Sequence, residues 1–315
     1  MSIQKHFLDR CGMIELENYF QVILMRTKEI LLAVIMVLTL LPGCSKTETA
    51  QVAATTLPVY QFATVLCEGT GISVTRLVTE SVSCLHDYSL NVSQVRSVES
   101  AQVVILSGAG LEEFMEDLLT NAQSVIDSSQ CIPLLTCDDQ HQEHDGHHHH
   151  EADAHIWLSP ANAKIMASNI CAGLCDQFPA YANAFQANLT TLHQRLDDLQ
   201  TYGDTQFQNL TCRELLTFHD GFAYFAQAFD LTILEAIEEE SGSEASAQEL
   251  IHLIELVNQH NLPAIFTECN GSVSAADIIA RETGASAFAL DMAMAGYDYF
   301  EAMKHNIDTI REAFG

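Results

Sequence analysis

The 315-residue chain has room for two modest domains, and at 48% hydrophobic residues it is too apolar to be disordered. Thirteen basic against 42 acidic side chains leave a formal net charge of −29, which repels phosphate backbones and excludes nucleic acid as a partner, while it concentrates cations or simply keeps the chain dissolved in a salty or acidic habitat. Fourteen histidines are many for this length, and the ten cysteines include no C-x-x-C pair, so neither a zinc ribbon nor a thioredoxin-like site is indicated.

Residues 30–41, ILLAVIMVLTLL, form an apolar run broken only by Thr39, with Arg26 and Lys28 ahead of it and Leu41-Pro42-Gly43-Cys44 behind. That run is too short to cross a bilayer and suits the core of a signal peptide. The small residue before a cysteine resembles a bacterial lipobox, which implies cleavage before Cys44 and acylation of its sulfur. Pro42 departs from the usual residue there, and an ordinary signal peptide with an incidental cysteine is the plainer alternative. Residues 1–24 carry acids upstream of a complete signal, so Met25 reads as the true start. Removing 1–43 takes four bases and four acids, and the mature charge stays at −29.

After a polar tether at 44–50, strand-like and helix-like patterns alternate, which predicts an α/β fold with parallel sheets flanked by helices. Strands are expected at Gln51–Thr56, Ile72–Val78, Val103–Ser107 and Cys131–Leu135, with helices at Pro58–Cys67, Ser93–Ser100 and Leu111–Ala122. These compose a first lobe over 51–178. Ala180–Tyr202 repeats leucines at helical spacing after Pro179, giving one rigid linking helix within 179–203, roughly 30 Å or more in length. The second lobe, 204–315, has strands expected at Glu214–Phe218, Leu231–Ala236, Ala264–Thr267 and Ala287–Leu290. Its helices are expected at Gly221–Ala228, Ser246–His260, Ser274–Thr283 and Tyr299–Ala313. Cys67, Cys212 and Cys269 fall in apolar stretches and read as small buried hydrophobes, with no disulfide assignable.

The segment 138–154, DDQHQEHDGHHHHEADA, contains no apolar residue larger than alanine and cannot pack a core, which makes it a histidine-rich loop. His141, His144, His147, His148, His149 and His150 are candidate auxiliary metal sites. A solvated spacer is the bland reading.

Four stretches place a ligand-type side chain after an expected strand: Leu85-His86-Asp87-Tyr88-Ser89-Leu90, Asp153-Ala154-His155-Ile156-Trp157-Leu158, Thr217-Phe218-His219-Asp220-Gly221-Phe222 and Ala289-Leu290-Asp291-Met292. Ligands of open α/β sheets bind beyond the carboxyl ends of the strands, and three imidazoles with a carboxylate make a sensible tetrahedral zinc shell. Any one of these histidines alone is more often structural. Asp291 alone would serve as a helix cap. Intervals of 69, 64 and 72 residues are too wide for a local motif.

His-Asp-Tyr-Ser-Leu, Asp-Ala-His-Ile-Trp-Leu-Ser-Pro, Phe-His-Asp-Gly-Phe-Ala-Tyr-Phe and Leu-Asp, in this order, resemble the landmarks of solute-binding proteins from bacterial zinc-uptake ABC transporters, from about Val52 to the C-terminus. The resemblance implies that His86, His155 and His219 bind Zn2+ and that Asp291 supplies or approaches the fourth position. Glu268 matches a carboxylate near the metal, as a support or an alternative ligand. Related manganese binders carry glutamate where His219 stands, and nitrogen ligands favour zinc. Cys84-Leu85 and Met292 replace prolines usual in the family, and Cys84 is a spectator, an alternative ligand or half of a disulfide.

The resemblance further implies a monomer held to the membrane only through a lipid anchor, outside the cytoplasm, handing zinc to an ABC permease driven by a cytoplasmic ATPase. A manganese- or iron-binding homologue and a surface zinc store or adhesin are the alternatives. An enzyme is not expected: three histidines on zinc also describe hydrolases, but there is no H-E-x-x-H, and Asp291 would fill the position that catalysis keeps open for water.

Overall fold

A computed structural model of the protein describes residues 51–80, 85, 88–135, 152–238, 245–269, 274–294, 296 and 298–315, without the side chains of residues 219, 237 and 238. The leader with Met25 and Cys44, the tether, Cys84, His86 and the histidines between 141 and 150 lie outside the described residues.

Parallel strands covered on both faces read as continuous apolar runs, and the innermost strands here do so. β1 (Val52–Ala54), β3 (Val103–Leu106) and β7 (Ala264–Glu268) are buried at every residue. With β2 (Val74–Arg76) and β4 (Val125–Asp127) the first sheet has the order β2-β1-β3-β4. With β5 (Glu214–His219), β6 (Thr232–Glu238) and β8 (Ser286–Leu290) the second has the order β6-β5-β7-β8. All pairings are parallel. The winding direction reverses between β1 and β3, and again between β5 and β7, so each sheet has a crevice at the carboxyl ends of its central strands.

The helices follow from local signals. α1 (Leu57–Leu66) opens with proline in its first turn. α2 (Val92–Ser100) has a capping box in which Asn91 accepts from the Gln94 amide at 3.1 Å and Gln94 returns to the Asn91 amide at 2.8 Å. The helix expected over Leu111–Ala122 shrinks to a 3₁₀ turn, Glu113–Met115, and a single α turn, α3 (Glu116–Leu119). Its start is lost because Gly108, Ala109 and Gly110 all hold positive φ and Glu112 turns inward to accept the Ser107 and Gly108 amides at 2.7 and 2.9 Å.

Two expectations need correction. Cys131–Leu135 is no strand: Cys131 has φ +64° and Pro133 has no N–H to give a ladder, so the edge strand is β4, a few residues earlier. The sequence reading also missed α4 (Pro160–Gln177), whose Ser159 hydroxyl caps the Asn162 amide at 3.4 Å and whose buried face is Ala163, Met166, Ala167, Ile170, Cys171 and Leu174.

After a 3₁₀ turn, Pro179–Tyr181, α5 (Ala182–Gln206) runs for 25 residues, about 37 Å, and buries Phe185, Leu192, Leu196 and Leu199. Gly203 on this helix is dictated by contact, since a Cβ there would lie 2.2 Å from the Phe229 ring. The remaining helices are α6 (Ala223–Ala228), α7 (Ala247–His260), α8 (Ser274–Thr283) and α9 (Tyr299–Phe314). Ser246 and Glu249 form a capping box at the start of α7. Thr49–Gly315 holds together as one compact unit. Its largest apolar cluster runs from the first sheet through α4 and α5 to the second, with Trp157, Tyr224 and Tyr299 among its fully buried side chains.

Candidate metal centre

His155 stands just before a 3₁₀ turn, Ile156–Leu158, and is 6% exposed. Asp153 Oδ1 accepts from the His155 main-chain N–H at 2.9 Å and lies 2.8 Å from its ring Nδ1. A carboxylate only accepts, so this contact puts the ring proton on Nδ1 and the lone pair on Nε2. The imidazole meets the Trp157 ring edge-on, with centroids 5.4 Å apart.

Asp291 follows β8 directly. Its N–H donates to Asn306 Oδ1 and its carbonyl accepts from Asn306 Nδ2, both at 2.7 Å, which fastens the residue to α9. Asp291 Oδ1 accepts from the Ala293 N–H at 2.7 Å, and Ala293 turns the chain with φ +55°. Asp291 is therefore a turn former, not a helix cap. The segment after it leans on α1, on β2 and on the turn that carries Trp157. Trp157 Nε1 donates to the Met292 carbonyl at 2.8 Å, and Tyr299 Oη donates to the Trp157 carbonyl at 2.7 Å. Gln61 on α1 donates to Asp298 Oδ2 at 2.6 Å and accepts from the Tyr299 amide, and Arg76 Nη1 donates to the Gly296 carbonyl at 3.0 Å.

Glu268 ends β7, buried, in register with Leu290 of β8. Cys269, expected inside, is exposed instead, because it sits past the strand end in a turn. Partial desolvation of its sulfur raises the thiol pKa, and the charges of Asp291 and Glu268 raise it further, so all three groups share one neighbourhood. Cys67 is buried as expected, while Cys212 is half-buried, and the six described cysteines are free thiols. His219 is the last residue of β5, with its backbone opposite Glu238 of β6. Of the four proposed ligands, the described side chains are thus His155 and Asp291. Among the described residues no three His, Cys, Asp or Glu side chains form a cluster that holds a metal, so His155, Glu268 and Asp291 do not suffice by themselves.

Two site residues escaped the sequence reading, although both fall in stretches it singled out: Asp153, two residues before His155, and Tyr224, five after His219. Tyr224 Oη accepts from the Leu135 amide at 2.9 Å and donates to the Asp153 carbonyl at 3.0 Å.

Paired parallel sheets, a long connecting helix and braced donors at strand ends define an α/β binding protein. The chain belongs to the family of zinc-uptake complex component A, periplasmic, whose model matches residues 52–313. It is a family of extracytoplasmic substrate-binding proteins. Among its relatives is a protein of Treponema pallidum (strain Nichols) named for metal binding, 28% identical over 257 residues, 78% of this chain and 81% of that one. The high-affinity zinc uptake system protein ZnuA of Bacillus subtilis (strain 168) is 26% identical over 85% of this chain and 89% of its own. The zinc-binding protein AdcA of Streptococcus pyogenes is 25% identical over 83% of this chain, which spans 55% of the streptococcal protein. In structure the chain is similar to a crystal structure of ZnuA, at a TM-score of 0.74 and 29% identity over 84% of this chain and 100% of that one. It is also similar to a zinc-bound deletion mutant of ZnuA, at 0.70 and 28% over 84% and 98%. Among the described residues no helix is long and apolar enough to cross a membrane.

Proposed function

We propose that the protein captures Zn2+ outside the cytoplasm and delivers it to an ABC permease powered by a cytoplasmic ATPase. The observation that carries this reading is the His155 brace: a buried carboxylate holds Nδ1, so that Nε2 is presented to a cation. His86, His219 and Asp291 complete the shell, with Glu268 as support or alternative oxygen ligand. The lobes are 51–178 and 204–315, joined by 179–203. Cys44 carries a lipid anchor after cleavage of the leader, and the protein works as a monomer.

The zinc-uptake names of relatives covering most of this chain support the metal, and a nitrogen-rich shell favours zinc over manganese. The histidines at 141, 144 and 147–150 act as weaker, exchangeable sites that raise the local zinc concentration at the cleft. The zinc-bound deletion mutant among the similar structures agrees with a tight site that survives loss of a segment. Competition titration of the mature chain with zinc and manganese tests the proposal. One tight zinc, lost in His155→Ala, is the expected result, and a preference for manganese would overturn it.

A further inference from the structure

Asp153 is 5% exposed, and only its Oδ1 is engaged: Oδ2 has no hydrogen-bond partner among the described residues. The second oxygen therefore does nothing to aim the carboxylate, whose direction depends on how the Asp153 backbone is held. That backbone is held at both polar atoms. Its N–H donates to the Leu135 carbonyl at 2.9 Å, and its carbonyl accepts from Tyr224 Oη at 3.0 Å. The same phenol oxygen accepts from the Leu135 N–H at 2.9 Å, so one hydroxyl satisfies a donor and an acceptor and closes a small ring of bonds. Tyr224 is 1% exposed, where a lost hydroxyl would leave two backbone groups short of a partner. The residue belongs to α6, which starts four positions after His219. One short element thus continues from a proposed ligand of the second lobe and steadies the support of a proposed ligand of the first.

We infer that Tyr224 is a positioning residue for metal capture: without touching the ion, it fixes the Asp153 backbone and, through the Asp153 carboxylate, the direction of His155 Nε2. The inference rests on the assignment of His155 as a zinc ligand. Binding then depends on a hydroxyl that faces backbone on both sides, and its removal misaligns the imidazole without removing any donor.

The test compares the mature wild-type chain with Tyr224→Phe, Asp153→Ala, Asp153→Asn and the double variant Tyr224→Phe/Asp153→Ala. Zinc affinity is read against a competing chelator, and the tautomer of His155 by nitrogen-15 NMR of the metal-free protein. Tyr224→Phe and Asp153→Ala are each expected to weaken zinc by about 10- to 100-fold. Asp153→Asn keeps an acceptor oxygen and restores most of the loss. The double variant is expected to be no weaker than Asp153→Ala, since the hydroxyl acts through that carboxylate. His155 is expected to lose its single Nδ1–H form in Tyr224→Phe. A Tyr224→Phe protein that melts earlier but keeps wild-type affinity and tautomer would overturn the inference, as would additive losses in the double variant. If Tyr224→Phe fails to fold, fluorotyrosine at 224 retains the hydroxyl while changing its acidity, and an unmoved His155 ring signal together with unchanged affinity is then the overturning result. His155→Ala separates the two levels. Tight zinc retained there removes the ligand assignment itself, whereas tight zinc lost there beside an unaffected Tyr224→Phe removes only the role of Tyr224.

Discussion

Trp157 Nε1 donates to the main-chain carbonyl of Met292 at 2.8 Å, joining positions 135 residues apart. Trp157 lies two residues after His155, and Met292 one after Asp291. A single buried hydrogen bond thus ties together the two backbones that present the described candidate ligands. Tyr299 Oη, donating to the Trp157 carbonyl, anchors the same turn from the other side.

Trp157→Phe keeps most of the aromatic volume and removes that donor. The Met292 carbonyl then loses its partner in a buried place, which costs about 1–3 kcal/mol. Urea unfolding of the metal-free chain is expected to show this loss, with zinc affinity falling as His155 and Asp291 drift apart. Unchanged stability and affinity together would mean that the bond braces nothing.

His219→Glu replaces a nitrogen donor with oxygen at the end of β5. Competition titration is expected to show zinc affinity falling and manganese affinity rising relative to wild type. A variant with the wild-type preference would show that His219 does not set metal choice.

Glu112 supplies a pH dependence of stability. Burial pushes its pKa up to about 7, against the Thr55 hydroxyl and the Gly108 and Ser107 amides that favour the charged form, while the charge of Asp127 adds to the rise. The folded-state value lies above the ordinary 4.5, so the folded chain binds this proton more tightly than the unfolded one. The resulting stability is fully present below about pH 4.5 and is lost as pH climbs through about 7, a change of roughly 3 kcal/mol. Wild type is therefore expected to lose stability relative to Glu112→Gln between pH 5 and 8, measured by urea unfolding at each pH. Parallel curves for the two proteins would contradict this.

At Gly203 two effects compete. Alanine in a helix interior gains up to about 1 kcal/mol over glycine. A Cβ 2.2 Å from the Phe229 ring incurs overpacking of about 1–3 kcal/mol. Gly203→Ala is expected to lower the melting temperature, and Phe229→Leu in the same chain to restore part of the loss. A stabilised single variant would show that the ring moves aside freely.

Deleting Gln140–Glu151 is expected to leave one tight zinc per molecule and to abolish weaker equivalents in calorimetry. Loss of the tight site would transfer the principal binding role to the histidine-rich segment.

Seven of the eight described strands were legible, most clearly the central ones, because parallel strands wetted on neither face write themselves as apolar runs such as Val103–Leu106 and Ala264–Glu268. One end of the first sheet was harder. β4 is a three-residue edge strand with an exposed Val125, less apolar than the Ile132-Pro133-Leu134-Leu135 stretch that mimicked it. α4 was missed although Met166, Ile170 and Leu174 recur at helical spacing among the smaller Ala163, Ala167 and Cys171, and Ser159-Pro160 was a start signal in plain view. For the site, His155 and Asp291 were reached by resemblance and never by periodicity, since the segments that carry them are joined by a tertiary hydrogen bond, from Trp157 Nε1 to the Met292 carbonyl. Asp153 could have been read from its place two residues before a proposed ligand, where a support belongs. Tyr224 could not, because its partners are backbone atoms that no side-chain pattern encodes.

The bonds that join Leu135, Asp153 and Tyr224 also determine what the chain tolerates. Leu135 and Asp153 are fastened to one another and, through Tyr224, to α6. These two residues thus form a fixed pair of anchors in the chain. Doubling the length between the two anchors adds only about 0.6 kcal/mol of closure entropy. The sequence between these anchors can therefore change length at little expense to the fold, and an engineer can seat a reporter domain between them, two residues ahead of His155.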